Sequence, residues 1–482
     1  MPGTGSDDYA FGVARRATEP TLELAANDGQ RFEVNVSWLS PNNPAERVTL
    51  GAVHAGAGTP EDLADVDVRG KLVLIEPAPG DDVGQRIADI KNAGGRLVML
   101  LSSPGKLVEP ALPTFEGSNT GTGARFATLV KAGGATAEYV NRPVTDLRYE
   151  LAYGVEHHVT TPQVYRPKTR DLVAVRTAYH DNVPSVAQFN AYREFFGNEI
   201  GTGLSGLVAS GQERIEYFTP GTWSVGWNSA GSGELYDTMR LVAGQPARIA
   251  WNKAVAGPSF RGLTMTRPGE QPRPWAWRKN GELNMWLPMY GDSAGRPRPL
   301  ADYGVDTGTI SLYRDGVPVP VPPDPYAPPM IVAIPVPAEA ATYRLVAEAH
   351  RTSDGWPLAT TVSAEWTFSS SATDDGAALP LLTARFDVDV NPRNQAPGNR
   401  KFSFPMYLER QDGVASITTA GVDVSYDDGR TWQAATVRAT GDHWTVSVRH
   451  PGTGYVTLRA NATDADGNTV RQTVVRAYQI AG

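Results

Sequence analysis

The residues best suited to chemistry stand in a few short motifs. Gly291-Asp292-Ser293-Ala294-Gly295 has the spacing of a nucleophile elbow, where a buried strand runs into the serine and a helix leaves it, exposing the hydroxyl beside an oxyanion hole. Arg296-Pro297-Arg298-Pro299 follows, and such a proline spacing cannot start a normal amphipathic helix. A hydrophilic loop is the reading, and an independent hydrolase using Ser293 is the least favoured function. Asp306-Thr307-Gly308 is the kind of triplet whose carboxylate works in proteolysis, facing a second carboxylate or in register with a His and a Ser. There is no second triplet, so a turn leading into Thr309-Ile310-Ser311-Leu312 is expected.

His157-His158 is the only adjacent pair among seven histidines. Neighbours on a strand point to opposite faces, which places the pair poorly for one metal ion. Asp464-Ala465-Asp466-Gly467-Asn468 looks like a calcium loop only until its spacing is checked: Gly467 falls at position four and Val475 at twelve, where an EF-hand needs Gly at six and Glu at twelve. A hairpin turn explains the same letters. Ser425-Tyr426-Asp427-Asp428-Gly429-Arg430-Thr431-Trp432 fits S-x-D-x-G-x-T-W, the Asp box. Its logic is structural: Asp and Gly shape a tight turn, the Ser and Thr hydroxyls bond nearby groups, and the Trp seals the hairpin onto a core. No catalytic residue, metal ligand or cofactor is assigned.

The elements that must carry these motifs are mostly strands. Phe32, Val34, Val36 and Trp38 alternate on one face of a half-buried strand. Lys71-Leu72-Val73-Leu74-Ile75 and Leu97-Val98-Met99-Leu100-Leu101 are continuous apolar runs of the buried parallel kind. Between them Asp81-Asp82 open a helix with Val83, Ile87 and Ile90 on one face, and Gly94-Gly95 stop it. This order implies a small α/β unit closing near Val140. A further helix is expected from a Ser185 cap through Val186, Phe189, Tyr192 and Phe196 to Gly197. Beyond Glu234 the pattern is strands, with Ala364, Trp366 and Phe368 alternating against Ser363, Glu365 and Thr367. Val456, Leu458 and Ala460 alternate in the same way against Thr457 and Arg459. Asp315-Gly316 and Asp466-Gly467 supply hairpin turns. Val317 to Pro329 is a proline-rich loop or edge excursion, and Ser369 to Gly376 is the best linker.

At 482 residues the chain exceeds one core. Its 49 Gly and 38 Pro suit an all-β protein with many turns. The net charge of −8, without a basic run, sets nucleic acid aside. No apolar run reaches membrane-spanning length, so no membrane span is expected. With no Cys, disulfide frameworks, thiolate zinc sites and cysteine nucleophiles are excluded. Trp223, Trp227, Trp275, Trp277 and Trp286 are candidates for an aromatic binding face, with core packing the expected fate of most.

Two regions resemble known families. Val68-Arg69-Gly70-Lys71-Leu72-Val73-Leu74-Ile75, the helix ending Asn92-Ala93-Gly94-Gly95 and the strand Arg96 to Leu101 resemble a protease-associated domain. From about Tyr217 onward the chain resembles the C-terminal extension of secreted subtilisin-like serine peptidases of Streptomyces and relatives. Phe218-Thr219-Pro220-Gly221, Leu312-Tyr313-Arg314-Asp315-Gly316, Glu365-Trp366-Thr367-Phe368, Leu382-Thr383-Ala384-Arg385-Phe386 and the Asp-box region carry that likeness. The subtilisin triad segments are missing: no His precedes Gly-Thr, and no Gly-Thr-Ser-Met run occurs.

The expected fold class is mainly β, with multiple Ig- or fibronectin-like β-sandwich domains and one inserted small α/β protease-associated-like domain. The expected divisions are a β segment over 1–50, completed by 146–235 as a sandwich, the α/β domain over 51–145, and a β domain with one helix over 146–235. A β-sandwich over 236–372 and a C-terminal Ig-like sandwich with the Asp-box hairpin over 373–482 complete the chain. The resemblance implies an extracellular accessory region, partnered by a protein or peptide substrate or by the catalytic domain of the same peptidase. The alternative is a stand-alone secreted protein that recognises glycan or protein.

Overall fold

A computed structural model describes residues 9–14, 18–26, 29, 31–36, 46–78, 81–101, 112, 114–116, 122–143, 147–155, 166–182, 186–195, 198–201, 206–228, 234–262, 273–298, 306–322, 330–351, 357–373, 376–413 and 415–482. Two compact units result. The first comprises Met1–Thr169, Pro184–Ala209 and Ile215–Thr219, and the second Arg170–Val183, Ser210–Arg214 and Pro220–Gly482. The protein is mainly β, with stacked sheets and one small α/β unit.

In the first unit the apolar runs become the staves of a closed barrel. Its strands are β1 (Thr18–Ala26), β2 (Arg31–Val36), β3 (Glu46–His54), β4 (Leu72–Ile75), β5 (Leu97–Leu100), β6 (Thr114–Glu116) and β7 (Ala135–Pro143), in the order β1-β2-β6-β5-β4-β3-β7. The β3-β4-β5-β6 run is parallel, which explains why β4 and β5 carry no polar alternation. Leu72 and Leu74 face one core with Phe126 and Tyr139, while Val73 and Ile75 face another with Ile87 and Ile90.

Three helices serve the barrel: α1 (Pro60–Ala64), α2 (Val83–Asn92) and α3 (Thr122–Lys131). The expected α2 forms as read, with the Asp82 carboxylate accepting from the Gln85 N–H and Val83, Ile87 and Ile90 buried. Gly95 closes it because the chain doubles back tightly: a Cβ there would lie 2.4 Å from Ile90 Cγ2. The barrel takes in chain from Thr18, ahead of residue 51.

Elsewhere in this unit, Tyr9–Ala14 pairs with Leu147–Val155, which also runs parallel to Ile215–Phe218. The helix expected after Ser185 is instead the strand Val186–Phe195, paired with Asn198–Gly201 and Gly206–Ala209. Phe189 and Ala191 are buried while Tyr192 is exposed, a period of two. Aromatic and β-branched residues suit a strand once ladder partners exist, and an apolar stripe this short does not separate the two periods.

In the second unit, β8 (Asp306–Arg314), β9 (Ala341–Arg351), β10 (Thr361–Ser370), β11 (Leu382–Phe386), β12 (Lys401–Arg410), β13 (Ile417–Ser425), β14 (Thr436–Thr440), β15 (His443–Arg449), β16 (Gly454–Asp464) and β17 (Thr469–Ala481) build two facing sheets. The larger runs β8-β9-β10-β17-β16-β13, with the short strands Val317–Val319 and Gln433–Ala434 at its ends. The smaller runs β11-β12-β15-β14. A further four-stranded sheet contains Ile331–Pro335, Glu282–Trp286, Ala276–Lys279 and Ala377–Ala378.

Because β10 pairs with β17 from Thr361↔Val475 to Thr367↔Thr469, one sheet takes strands from both sides of residue 372. One core accordingly extends from Ala254 to Ile480. Thr373 is docked, its hydroxyl donating to the Arg278 carbonyl. The alternation in β10 holds, with Val362, Ala364, Trp366 and Phe368 buried. In β16 it breaks at Thr457, which is buried because a register shift between Val456 and Leu458 turns it inward, where its hydroxyl accepts from the Arg476 N–H. Asp315 and Gly316, with φ of 50° and 82°, make the expected hairpin turn before the edge strand Val317–Val319.

Candidate functional site

The mouth of the C-terminal sandwich opens into a groove of about 800 Å³. Its shape follows from unequal strand lengths. Strand β12 buries Phe402, Phe404 and Met406 between the sheets and pairs with β11 as far as Leu382↔Arg410. Its other neighbour, β15, stops earlier: the last pair is Met406↔Trp444, after which the chain turns through Gly441 (φ 60°) and Asp442 into β14. Where the ladder ends, Leu408, Ile417 and half-buried Trp444 are left as an apolar lining packed against the core.

Charged groups surround that lining. The Asp442 carboxylate meets His443 Nδ1 at 2.9 Å, and this hydrogen bond holds its carboxyl below the usual carboxylate range. Arg385 lies 4.2 Å over the Tyr407 ring and pairs with Glu409 at 2.8 Å. Arg410 reaches Asp412, Asp464 and Asp466 at 2.6, 2.9 and 2.6 Å, and these bonds push its pKa up. Arg261 Nη1 donates to the Ala294 carbonyl at 2.7 Å. The lining suits non-covalent contact: aromatic stacking, hydrogen bonding and charge.

The catalytic look-alikes are structural. Ser293 is buried in a turn; its N–H donates to the Lys253 carbonyl and its own carbonyl accepts from Arg385. Asp292 beside it accepts from the Ala294 and Arg296 N–H groups and pairs with Arg296 at 2.7 Å, so no helix leaves the serine. Asp306-Thr307-Gly308 is not a turn but the start of β8, opposite Arg351, His350 and Ala349, because β9 runs far enough to give it ladder partners. His157 and His158 lie outside the described residues.

The Asp464 carboxylate accepts from the Asp466 and Asn468 N–H groups, the Asn468 amide and Arg410, as a hairpin turn requires. In the Asp box, Asp427 accepts from the Thr431 hydroxyl and N–H and from the Ser425 hydroxyl, which bring its pKa down to about 2. The Gly429 N–H donates to Ser425 Oγ, and Arg459 covers Trp432 at 4.1 Å. Trp223, Trp227 and Trp275 are buried, and Trp277 and Trp286 half-buried.

Sequence reading missed two constellations. On the solvent side of β9 and β10, His350 Nε2 meets Glu348 at 2.8 Å while Nδ1 meets the Thr361 hydroxyl at 3.1 Å. The distances imitate a triad, yet the group spans neighbouring residues of β9 and β10, and a cross-strand network accounts for it. In the second unit, buried His180 has its pKa pushed down to about 4, first by burial and then by the charge of Lys253. Its Nδ1 lies 3.1 Å from the Asn391 carbonyl. The register of β9 against β10 produced the first and contacts across some two hundred residues the second, and no local signal announces them.

No family model matches the chain, and no curated protein matches it. Among solved structures, an aminopeptidase from Aneurinibacillus sp. strain AM-1 is similar at 19% identity and a TM-score of 0.23, over 32% of this chain and 36% of that one. A zinc aminopeptidase from Bacillus subtilis is similar at 14% identity and a TM-score of 0.23, over 36% and 41%. Domains 4 and 5 of the S-layer protein SbsC are similar at 17% identity and a TM-score of 0.14, over 48% and 95%. The match therefore spans well under half the length of either aminopeptidase, and at these scores none of the likenesses carries an argument about activity.

Proposed function

We propose that this chain is a non-catalytic accessory region of an extracellular subtilisin-like serine peptidase, serving to recognise substrate or partner and to support the catalytic domain. The observation that carries this reading is the groove at the sandwich mouth, where Trp444 stays half-buried among paired charges. Rigid sheets hold its walls, as recognition surfaces require. That Ser293 lies buried in a turn and that the Asp464 carboxylate is held by its own hairpin support assigning bond cleavage elsewhere. The protease-associated-like barrel fits the same reading.

The test is kinetic. The parent peptidase, carrying this region, is assayed on a protein substrate and on a short chromogenic peptide. Trp444→Ala is expected to lower kcat/KM on the protein several-fold and leave the short peptide unchanged. Equal activity on both substrates would count against the reading. So would covalent labelling of the isolated chain by a fluorophosphonate probe that disappears in Ser293→Ala.

A further inference from the structure

Inside the groove one main-chain pair lies beyond the end of its ladder among the described residues. The Asp387 N–H donates to the Pro405 carbonyl and the Gln411 N–H to the Leu381 carbonyl, so odd-numbered residues of β12 bond toward β11. Antiparallel alternation then turns the even-numbered ones the other way. Met406 meets Trp444, and the Arg410 carbonyl accepts from the Gly413 N–H. Leu408 lies between them, beyond the end of β15. Ala384, directly across from Leu408, obeys the same alternation, since the Gln472 side chain takes up both its N–H and its C=O. With the β12–β15 ladder ended at Met406↔Trp444, no described residue outside the ladders bonds the Leu408 N–H or C=O. Such a half-covered main-chain pair bonds water, or another extended chain that displaces it.

The charges around it are not equivalent. Arg385 is neutralised by Glu409 and Arg410 by three aspartates, whereas Arg261 has no carboxylate partner among the described residues. Building on the recognition role proposed above, we infer that the groove takes an extended peptide that adds as a short strand along Leu408. An acidic side chain of that peptide answers Arg261, and an apolar one packs on Trp444. Main-chain bonds would supply affinity, and the charge and the aromatic wall selectivity.

The probe is a fluorescein-labelled nonapeptide of alternating Thr and Val with a central Glu, titrated against the full chain by fluorescence anisotropy. Saturable binding is expected, lost when alternate peptide amides are N-methylated. Changing the central Glu to Gln, or Arg261→Gln in the protein, should each weaken binding about tenfold, and the two together no further. Trp444→Ala should weaken every peptide, with circular dichroism confirming that the variants fold. Equal binding of the N-methylated peptide, or no saturation at millimolar protein, overturns the inference. Xylohexaose binding that depends on Trp444, with no peptide binding, also overturns it but leaves the groove a recognition site. Loss of the accessory function itself would instead appear in the kinetic assay with Trp444→Ala.

Discussion

The barrel of the first unit and the sandwich of the second solve the same edge problem differently. In the barrel, β7 pairs with both β1 and β3, so every stave has two neighbours and no strand edge is left over. Its polar cluster, His54 with Glu76 at 2.8 Å and Lys131 with Glu76 at 3.1 Å, sits where the parallel strands β3 and β4 end, and its members answer one another. In the sandwich, β12 outruns β15, and among the described residues a main-chain pair is left outside the ladder beside half-buried aromatic surface. Closure spends the hydrogen-bonding capacity of a sheet internally. Unequal strand lengths leave some of it for a partner.

The largest expected effect tests whether the two regions stand or fall separately. Trp366 is fully buried and its indole N–H donates to the Leu382 carbonyl at 2.6 Å, tying β10 to β11. Trp366→Ala should cost about 3–5 kcal/mol in the sandwich. Calorimetry is expected to show the sandwich transition moved down and the barrel transition in place; a common shift would merge the two regions into one cooperative unit.

Acid offers a second handle on the sandwich side. The folded pKa of His180 is about 4 against 6.5 unfolded, so the unfolded chain takes up the proton first. Stability is then full above pH 6.5 and is lost as pH falls toward 4, by about 3 kcal/mol in all. Lys253, Asp292, Asn391 and Asn394 surround the ring. Urea midpoints at pH 7 and pH 4.5 should differ strongly in the native chain and much less in His180→Asn; an unchanged pH response would assign the acid sensitivity to another group.

The barrel has its own tight point at Gly95. A methyl group there meets Ile90 Cγ2 at 2.4 Å and the Ile90 carbonyl at 3.0 Å, so Gly95→Ala should destabilise the barrel by about 1–3 kcal/mol. Proteolysis between α2 and β5 would reveal it, with the sandwich resisting as before. The smallest effect belongs to the Asp box. Removing the Thr431 hydroxyl, which donates to half-buried Asp427 at 2.6 Å, should speed amide exchange in that hairpin while leaving the melting temperature unmoved. A measurable fall in melting temperature would make the box a core element instead of a surface clasp.

Much of this was legible along the chain. Apolar runs at Leu72–Ile75 and Leu97–Leu100, the capped helix after Asp82, the turn at Asp315-Gly316 and the Asp-box hairpin are written in period, capping residue and turn chemistry, all of which act over a few residues. The groove was not legible. Trp444 and Leu408 look like ordinary strand residues, and only the length of β15 beside β12 makes a site of them.

Local sterics and solvation settle whether a segment wants to be a turn, a buried strand or an exposed face, and these preferences travel with the residues themselves. The strand at Val186–Phe195, the sheet that passes residue 372 and the open edge at Leu408 depend on which segment lies alongside. A ladder partner is chosen by packing across hundreds of residues, and a period of two states which face is buried without saying what will lie next to it.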